Sequence, residues 1–202
     1  MQTEIEAKFL NINHDEIRTK LINLGAKCVQ PVRLMRRVVI DFTDKRMQKG
    51  GNSWIRVRDE GDKVTLTHKT TIEREFGGSQ EIEVIVGSYE KTIEIFKAMG
   101  LIVHTEQETK RETWQLGDTE IVLDEWPWLE PFIEVEGPTK QAVMKTSKQL
   151  GFDWKDAVFG SVTTAYRTQY PDIKKDEHIS GIAEIKFALE KPSWFTKKGG
   201  KK

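Results

Sequence analysis

Charged residues recur at a spacing of two in segments that otherwise read as β-strands. In a strand, residues two apart share a face, so Glu4, Glu6 and Lys8 project together, opposite Ile5, Ala7 and Phe9. Arg56 and Arg58 share a face opposite Ile55 and Val57, and Lys69 lies with Thr65 and Thr67 opposite Val64, Leu66 and His68. Glu81 and Glu83 stand opposite Ile82 and Val84, and Glu134 and Glu136 opposite Ile133 and Val135. Arg111 shares its face with Thr109 and Thr113, Asp124 is flanked by Leu123, and Arg37 adds a cation from an earlier segment. The set comprises six cations (Lys8, Arg37, Arg56, Arg58, Lys69, Arg111) and seven carboxylates (Glu4, Glu6, Glu81, Glu83, Asp124, Glu134, Glu136).

Alternation alone also fits an antiparallel sheet with one wet and one dry face. The sorting of charge by segment pulls against that reading, because 53–59 and 63–70 are basic while 2–10, 80–86 and 131–136 are acidic. Sorted charge suits a barrel whose lumen holds both signs. Carboxylates crowded together raise one another's pKa values unless a cation sits among them. Hard oxygen ligands favour Mg²⁺ or Mn²⁺ for that role. Arginine and lysine have a natural client in a run of phosphates, gripped bidentately by the one and as a point charge by the other. A metal together with a cationic clamp is what phosphoryl-group chemistry requires, since its work is positioning and charge neutralisation.

These side chains need strands to carry them. Alternation or β-rich composition marks strands near 2–10, 33–42, 53–59, 63–70, 80–86, 104–116, 119–125 and 131–136. Turn signals lie between them at Lys49-Gly50-Gly51-Asn52, Glu60-Gly61-Asp62, Gly77-Gly78-Ser79 and Gly117-Asp118. Three helices are expected. The first has Asn13 as N-cap, Glu16 completing a capping box, a stripe of Ile17, Leu21 and Leu24, and Gly25 as its stop. The second runs from about Tyr89 to Met99 before Gly100, and the third follows Thr139 and ends at Gly151. Glu4-Ile5-Glu6, Glu81-Ile82-Glu83 and Glu134-Val135-Glu136 each open a strand-to-helix unit closed by one of these glycines, 21, 19 and 17 residues on. The pattern predicts an α+β protein on an antiparallel sheet or barrel over residues 1–170, followed by a charged C-terminal extension, 171–202. Within that extension 182–189 reads as one more strand, and Lys197–Lys202 as a basic tail.

Composition narrows the function. The 202 residues carry 32 Lys+Arg against 32 Asp+Glu, so no basic excess points to nucleic acid. The single cysteine, Cys28, closes no disulfide within the chain, and no apolar run approaches the roughly 18 residues of a membrane span. The start, MQTEIEAKFL, has carboxylates where a signal peptide has an apolar run, so a cytoplasmic protein without a membrane partner is expected. P-loop, dinucleotide-fold and H-E-x-x-H motifs are missing. Trp126-Pro127-Trp128 reads either as a packing cluster or as a platform for a nucleobase.

Glu4-x-Glu6-x-Lys8 resembles the E-x-E-x-K signature of the CYTH superfamily, the triphosphate tunnel metalloenzymes, which includes class IV adenylyl cyclases and thiamine and inorganic triphosphatases. Ile55-Arg56-Val57-Arg58 is similar to the family's R-x-R strand, Leu66-Thr67-His68-Lys69 to its L-T-x-K strand, and Glu81-Ile82-Glu83 to the acidic strand that follows. Lys110–Trp114 resembles the basic-aromatic strand, with Thr109 where some members carry a lysine, and Leu123-Asp124-Glu125, Pro127 and Phe132–Glu136 resemble the closing block. The resemblance spans about residues 2–170. It implies an eight-stranded antiparallel tunnel with flanking helices, and a small-molecule triphosphate as the partner of a monomer or homodimer. It implies that Lys8, Arg56, Arg58, Lys69 and Arg111, with Arg37, bind the triphosphate. It further implies that Glu4, Glu6, Glu134 and Glu136, with Glu81 and Asp124, hold Mg²⁺ or Mn²⁺ or orient a water, with Glu4, Glu6 and Lys8 as the catalytic group. The activities it implies are triphosphate hydrolysis or the conversion of ATP to cyclic AMP; a binder without turnover is the third reading.

Overall fold

The computed structural model describes residues 2–71, 79–173, 179–193 and 195. The alternating segments form the strands β1 (Gln2–Leu10), β2 (Lys27–Asp41), β3 (Ser53–Asp59), β4 (Val64–Thr71), β5 (Ser79–Val86), β6 (Ile102–Leu116), β7 (Thr119–Glu125) and β8 (Phe132–Gly137). Their order is β2-β3-β4-β5-β1-β8-β7-β6, and a further antiparallel pairing of β2 with β6 joins the two ends, so each of the eight has a neighbour on both sides. The expected α+β barrel is present. Its slenderest seam is β1 with β5, paired through Gln2, Thr3 and Glu4 only.

The helices α1 (His14–Asn23), α3 (Tyr89–Ala98) and α4 (Lys140–Gln149) stand where they were expected, with α2 (Arg46–Gly51) and α5 (Val162–Gln169) in addition. The Asn13, Ser88 and Thr139 side chains accept hydrogen bonds from first-turn amides and cap the three expected helices. All three end in the same way. The amides of Ala26, Leu101 and Phe152 donate to Leu21, Phe96 and Ser147 across a glycine in the left-handed region, with φ of 77°, 86° and 89° at Gly25, Gly100 and Gly151. The three strand-to-helix units of the sequence are therefore β1–α1, β5–α3 and β8–α4.

Three expectations are corrected. The second strand starts at Lys27 rather than 33, because β2 continues past Pro31 with register shifts against β6 that leave the proline outside the paired positions. The turn read at Lys49–Asn52 falls largely within the short α2, Arg46–Gly51, whose amides at Met47 and Gln48 donate to the buried carboxylate of Asp41. Of 182–189, two residues become strand: β9 (Glu184–Ile185) pairs in parallel with β6.

The apolar faces of the strands look outward, most of them onto helices, while Ile82 and Val84 on the outer face of β5 are exposed. Ala7, Phe9, Ile121, Leu123, Ile133 and Val135 pack with Ile17 and Leu21 of α1 and Val143 of α4. Val38, Ile40 and Val57 pack with Tyr89 and Ile93 of α3. A third cluster sits where β1 ends and β8 begins, joining Trp126 and Phe132 to Tyr166, Tyr170, Ile173, Ile179, Ile185 and Phe195. The segment after Pro171 thus contributes buried side chains; Trp194 and 197–202 lie outside the described residues. Among the described residues no helix is long and apolar enough to cross a membrane. Leu21→Ala, which empties a fully buried position, is expected to cost about 2–5 kcal/mol, while Ile22→Ala, at a position 63% exposed, shifts stability by less than about 0.5 kcal/mol; urea unfolding of the pair checks the outward placement of the core.

Candidate active site

Because the helices cover the apolar faces, the alternate residues of each strand turn into the barrel. Lys8 is the most enclosed of the cations, its side chain 2% exposed. Its Nζ donates to Glu6 Oε1 at 2.6 Å and lies 3.3 Å from Glu134 Oε1. Burial works against the ammonium, but Glu134 and Glu6 outweigh it and raise its pKa. Lys8 is fixed there by register, since it stands opposite Glu134 across the β1–β8 ladder.

On the next two strands Arg111 and Asp124 are register partners. Arg111 Nε donates to Asp124 Oδ1 at 2.8 Å and Nη2 to Oδ2 at 2.5 Å, a bidentate grip, and Nη2 also reaches Glu134 Oε2 at 3.0 Å. Burial raises the Glu134 pKa in part, but Lys8 and Arg111 prevail and hold it well below the usual carboxylate range.

Across the barrel, Arg56 Nη2 donates to Thr67 Oγ1 at 3.2 Å and to Glu83 Oε2 at 3.3 Å, and lies 3.5 Å from Glu81 Oε2. Lys69 is ion-paired with Glu81. Arg58, the register partner of Arg37, pairs with Glu60. Arg37 donates from Nη2 to Thr109 Oγ1 at 3.0 Å and lies 4.5 Å over the Trp126 ring. Burial and then the neighbouring arginines Arg56 and Arg111 push the Arg58 pKa down to about 10, and burial with Arg58, Arg56 and Arg111 pushes Arg37 down as well. A guanidinium nonetheless keeps its proton at neutral pH. The downward direction marks a cluster of buried positive charge that an anion would relieve. Arg33 Nε and Nη1, Arg37 Nε and Arg56 Nε are buried without a hydrogen-bond partner among the described residues.

All six expected cations thus face one lumen, with Glu6, Glu81, Glu83, Asp124, Glu134 and Glu136 on the same inner face. Glu4 occupies β1 two residues before Glu6, and its side chain lies outside the described residues. Three lumen residues were not singled out in the sequence. Glu120 lies opposite Glu136 and at even spacing from Asp124, Arg33 lies at even spacing from Arg37, and Glu60 follows Arg58 by two. The period that found their neighbours extends to all three.

Among the described residues no group of three or more His, Cys, Asp or Glu is gathered as a metal site. The chemistry of the donors nonetheless fits a hard cation. Glu6, Glu136 and Glu120 are successive register partners across β1, β8 and β7, a row of like charge that is unfavourable without a cation near it. Trp126 and Trp128 belong to the aromatic cluster: Tyr166 lies edge-on to the first, and the second donates its Nε1 hydrogen to Leu189 O. That arrangement answers the packing reading of this tripeptide.

The PH1012 protein from Pyrococcus horikoshii OT3 superposes with a TM-score of 0.64 at 24% identity, covering 77% of this chain and 94% of that one. A candidate adenylate cyclase from Vibrio parahaemolyticus gives 0.70 at 15% identity, covering 79% and 95%. HpAC1 from Hippeastrum, a candidate adenylyl cyclase with a dominant triphosphatase activity, gives 0.53 at 15% identity, covering 75% and 88%. At these identities the likeness is one of fold. No curated protein sequence matches the chain. The family model of the CYTH domain matches residues 2–158, and with that match over most of its length the chain belongs to the CYTH family.

Proposed function

We propose that this chain is a metal-dependent phosphohydrolase that cleaves a triphosphate-containing substrate, inorganic triphosphate or a nucleoside or thiamine triphosphate, inside the charged barrel. Members of the CYTH family are typically enzymes of the adenylyl cyclase and triphosphatase kinds. The observation that carries the reading is the pair of buried guanidinium nitrogens, Nε of Arg37 and Nε of Arg56, that have no partner among the described residues, in a lumen whose arginines crowd one another. A polyanion supplies what those groups lack, and a linear triphosphate is both charged enough and narrow enough to lie along them.

In this reading Arg37, Arg56, Arg58, Lys69, Arg111 and Lys8 bind and straighten the phosphate chain. Glu6 and Glu136, with Glu134 and with Glu4 on the same strand, are the residues that would hold Mg²⁺ or Mn²⁺, and a divalent ion there supplies charge neutralisation of the phosphates. Glu4 or Glu6 takes a proton from a water as its oxygen bonds to the terminal phosphorus. The bridging P–O bond breaks, and the departing diphosphate oxygen carries the negative charge toward the arginines. The second reading, a class IV adenylyl cyclase, uses the same cage with the 3′-hydroxyl of ATP attacking the α-phosphorus. The packing of Trp126 and Trp128 into the aromatic cluster favours hydrolysis, because it removes the stacking surface that Trp126-Pro127-Trp128 offered in the sequence.

The reading is tested by giving the purified protein Mg²⁺ or Mn²⁺ with inorganic triphosphate, thiamine triphosphate or ATP, and quantifying orthophosphate, pyrophosphate and cyclic AMP. Orthophosphate without cyclic AMP is the expected outcome. Cyclic AMP with pyrophosphate from ATP makes it a cyclase, and metal-dependent binding without product makes it a binder. Arg58→Ala is expected to lower kcat/KM at least about 100-fold, the usual loss for a preorganised charge-stabilising group. Arg36→Ala is the control, because Arg36 lies on the outer face with Asp59 and Glu90 and is expected to leave turnover unchanged.

A further inference from the structure

On the inner face of β3 Arg58 follows Arg56 by two residues, about 6.6 Å, and Glu60 stands two residues further on, just past the strand's end at Asp59. The position that would continue the cationic row is a carboxylate. Glu60 is no ordinary turn residue, for its side chain is 4% exposed. Arg58 Nε donates to its Oε1 at 2.9 Å, Arg33 Nη2 reaches its Oε2 at 3.3 Å, and Thr65 Oγ1 lies 3.5 Å from Oε1. Lys63 Nζ adds a longer contact at 3.9 Å. One carboxylate therefore bridges two guanidinium groups from different strands, each taking one of its oxygens. Burial raises the Glu60 pKa in part, but Arg58 and Lys63 outweigh it and lower it, so the group is an anion at neutral pH. Beyond it, Arg33 keeps Nε and Nη1 buried without a partner among the described residues. Arg33 is the register neighbour of Arg111 on β6, so it belongs to the lumen and not to the outer surface.

We propose that Glu60 is a resident anion that ends the phosphate track at Arg58, occupying the place of a further phosphoryl group and withholding Arg33 from the substrate. The inference rests on the triphosphate reading above and adds to it the length of chain accepted: a linear polyphosphate of three phosphoryl units fits, and a fourth meets the Glu60 carboxylate. Glu60 is thus a specificity-determining residue, and Arg33 is the latent cation that its removal exposes.

The test is calorimetric titration of the purified protein with inorganic triphosphate and with linear inorganic tetraphosphate in the presence of Mg²⁺, with hydrolysis of each followed in parallel. Wild type is expected to prefer triphosphate. Glu60→Gln is expected to move the ratio of the two affinities at least tenfold toward tetraphosphate, and Arg33→Met added to Glu60→Gln is expected to abolish that shift. A lost ion pair that only loosened the fold would weaken both anions together and leave the ratio where it was. Should Glu60→Gln fail to fold by circular dichroism, Glu60→Asp, which keeps the charge and retracts it by one methylene, gives an intermediate shift of the ratio. An unchanged ratio in the folded variant, a shift that survives Arg33→Met, or a wild type that already prefers tetraphosphate overturns the inference. Selective binding without hydrolysis leaves it standing and removes the phosphohydrolase reading; failure of wild type to bind either anion removes both.

Discussion

Charge burial inside the barrel is the constraint on which the rest of the molecule depends. A lumen lined by Lys8, Arg37, Arg56, Arg58, Glu134 and Asp124 is no hydrophobic core, and buried ion pairs roughly break even against the desolvation of their members. Folding stability must therefore come from the other side of the sheet. That is where the apolar residues are: the two clusters beneath α1, α4 and α3 lie outside the ring, and the aromatic cluster sits at one end of it. Each strand is asked to be apolar outward and charged inward. Strict period-two alternation is the only pattern that satisfies both, and a one-residue slip in any strand would put lysine and glutamate against the helices.

That same constraint explains how much was legible in the sequence. Glu4-Ile5-Glu6-Ala7-Lys8 and Ile55-Arg56-Val57-Arg58 could be assigned to faces because their alternation has no exception, and the strands that carry them are those that the structure contains. The glycines closing α1, α3 and α4 were legible because a left-handed helix terminus has a residue preference strong enough to read. Where local signals were weak, the reading fell short. The start of β2, Lys27–Val32, lacks alternation and contains Pro31, and pairing with the long β6 makes it a strand. The α2 turn has two glycines, and its amides depend on Asp41, five residues before its first residue. Glu60 sits in a Glu-Gly-Asp turn whose local chemistry says surface, yet Arg33 from another strand meets it there together with Arg58 and Thr65.

Position matters more than residue type for the cations. On β6 the lumen residue two before Arg111 is the uncharged Thr109, which on its own would leave that part of the lumen without charge. Arg37 from β2 reaches the spot, donating to the Thr109 hydroxyl and resting on Trp126. The shorter side chain makes room for the longer one from the neighbouring strand, so the field is supplied by a different element. The exchange also ties the lumen to the aromatic cluster, because the ring that carries Arg37 is itself packed by Tyr166. Residues after the last barrel strand thereby act on a site they do not enter.

The order of strands turns these local placements into a polarity across the lumen. In a ring that runs β2-β3-β4-β5-β1-β8-β7-β6, β2 lies opposite β1 and β3 opposite β8. The wall formed by β2 and β3 carries Arg33, Arg37, Arg56 and Arg58, and the wall facing it carries Glu6, Glu134 and Glu136 around the single cation Lys8. A polyanion drawn to the arginine wall necessarily presents its far side to the carboxylates, where a hard cation or a proton acceptor is of use. Sorting of charge by strand, the feature that first set these segments apart from an ordinary wet face, is thus the one-dimensional trace of that separation. Mixed signs on every strand would have neutralised the lumen equally well, yet would have given a bound phosphate chain no preferred side.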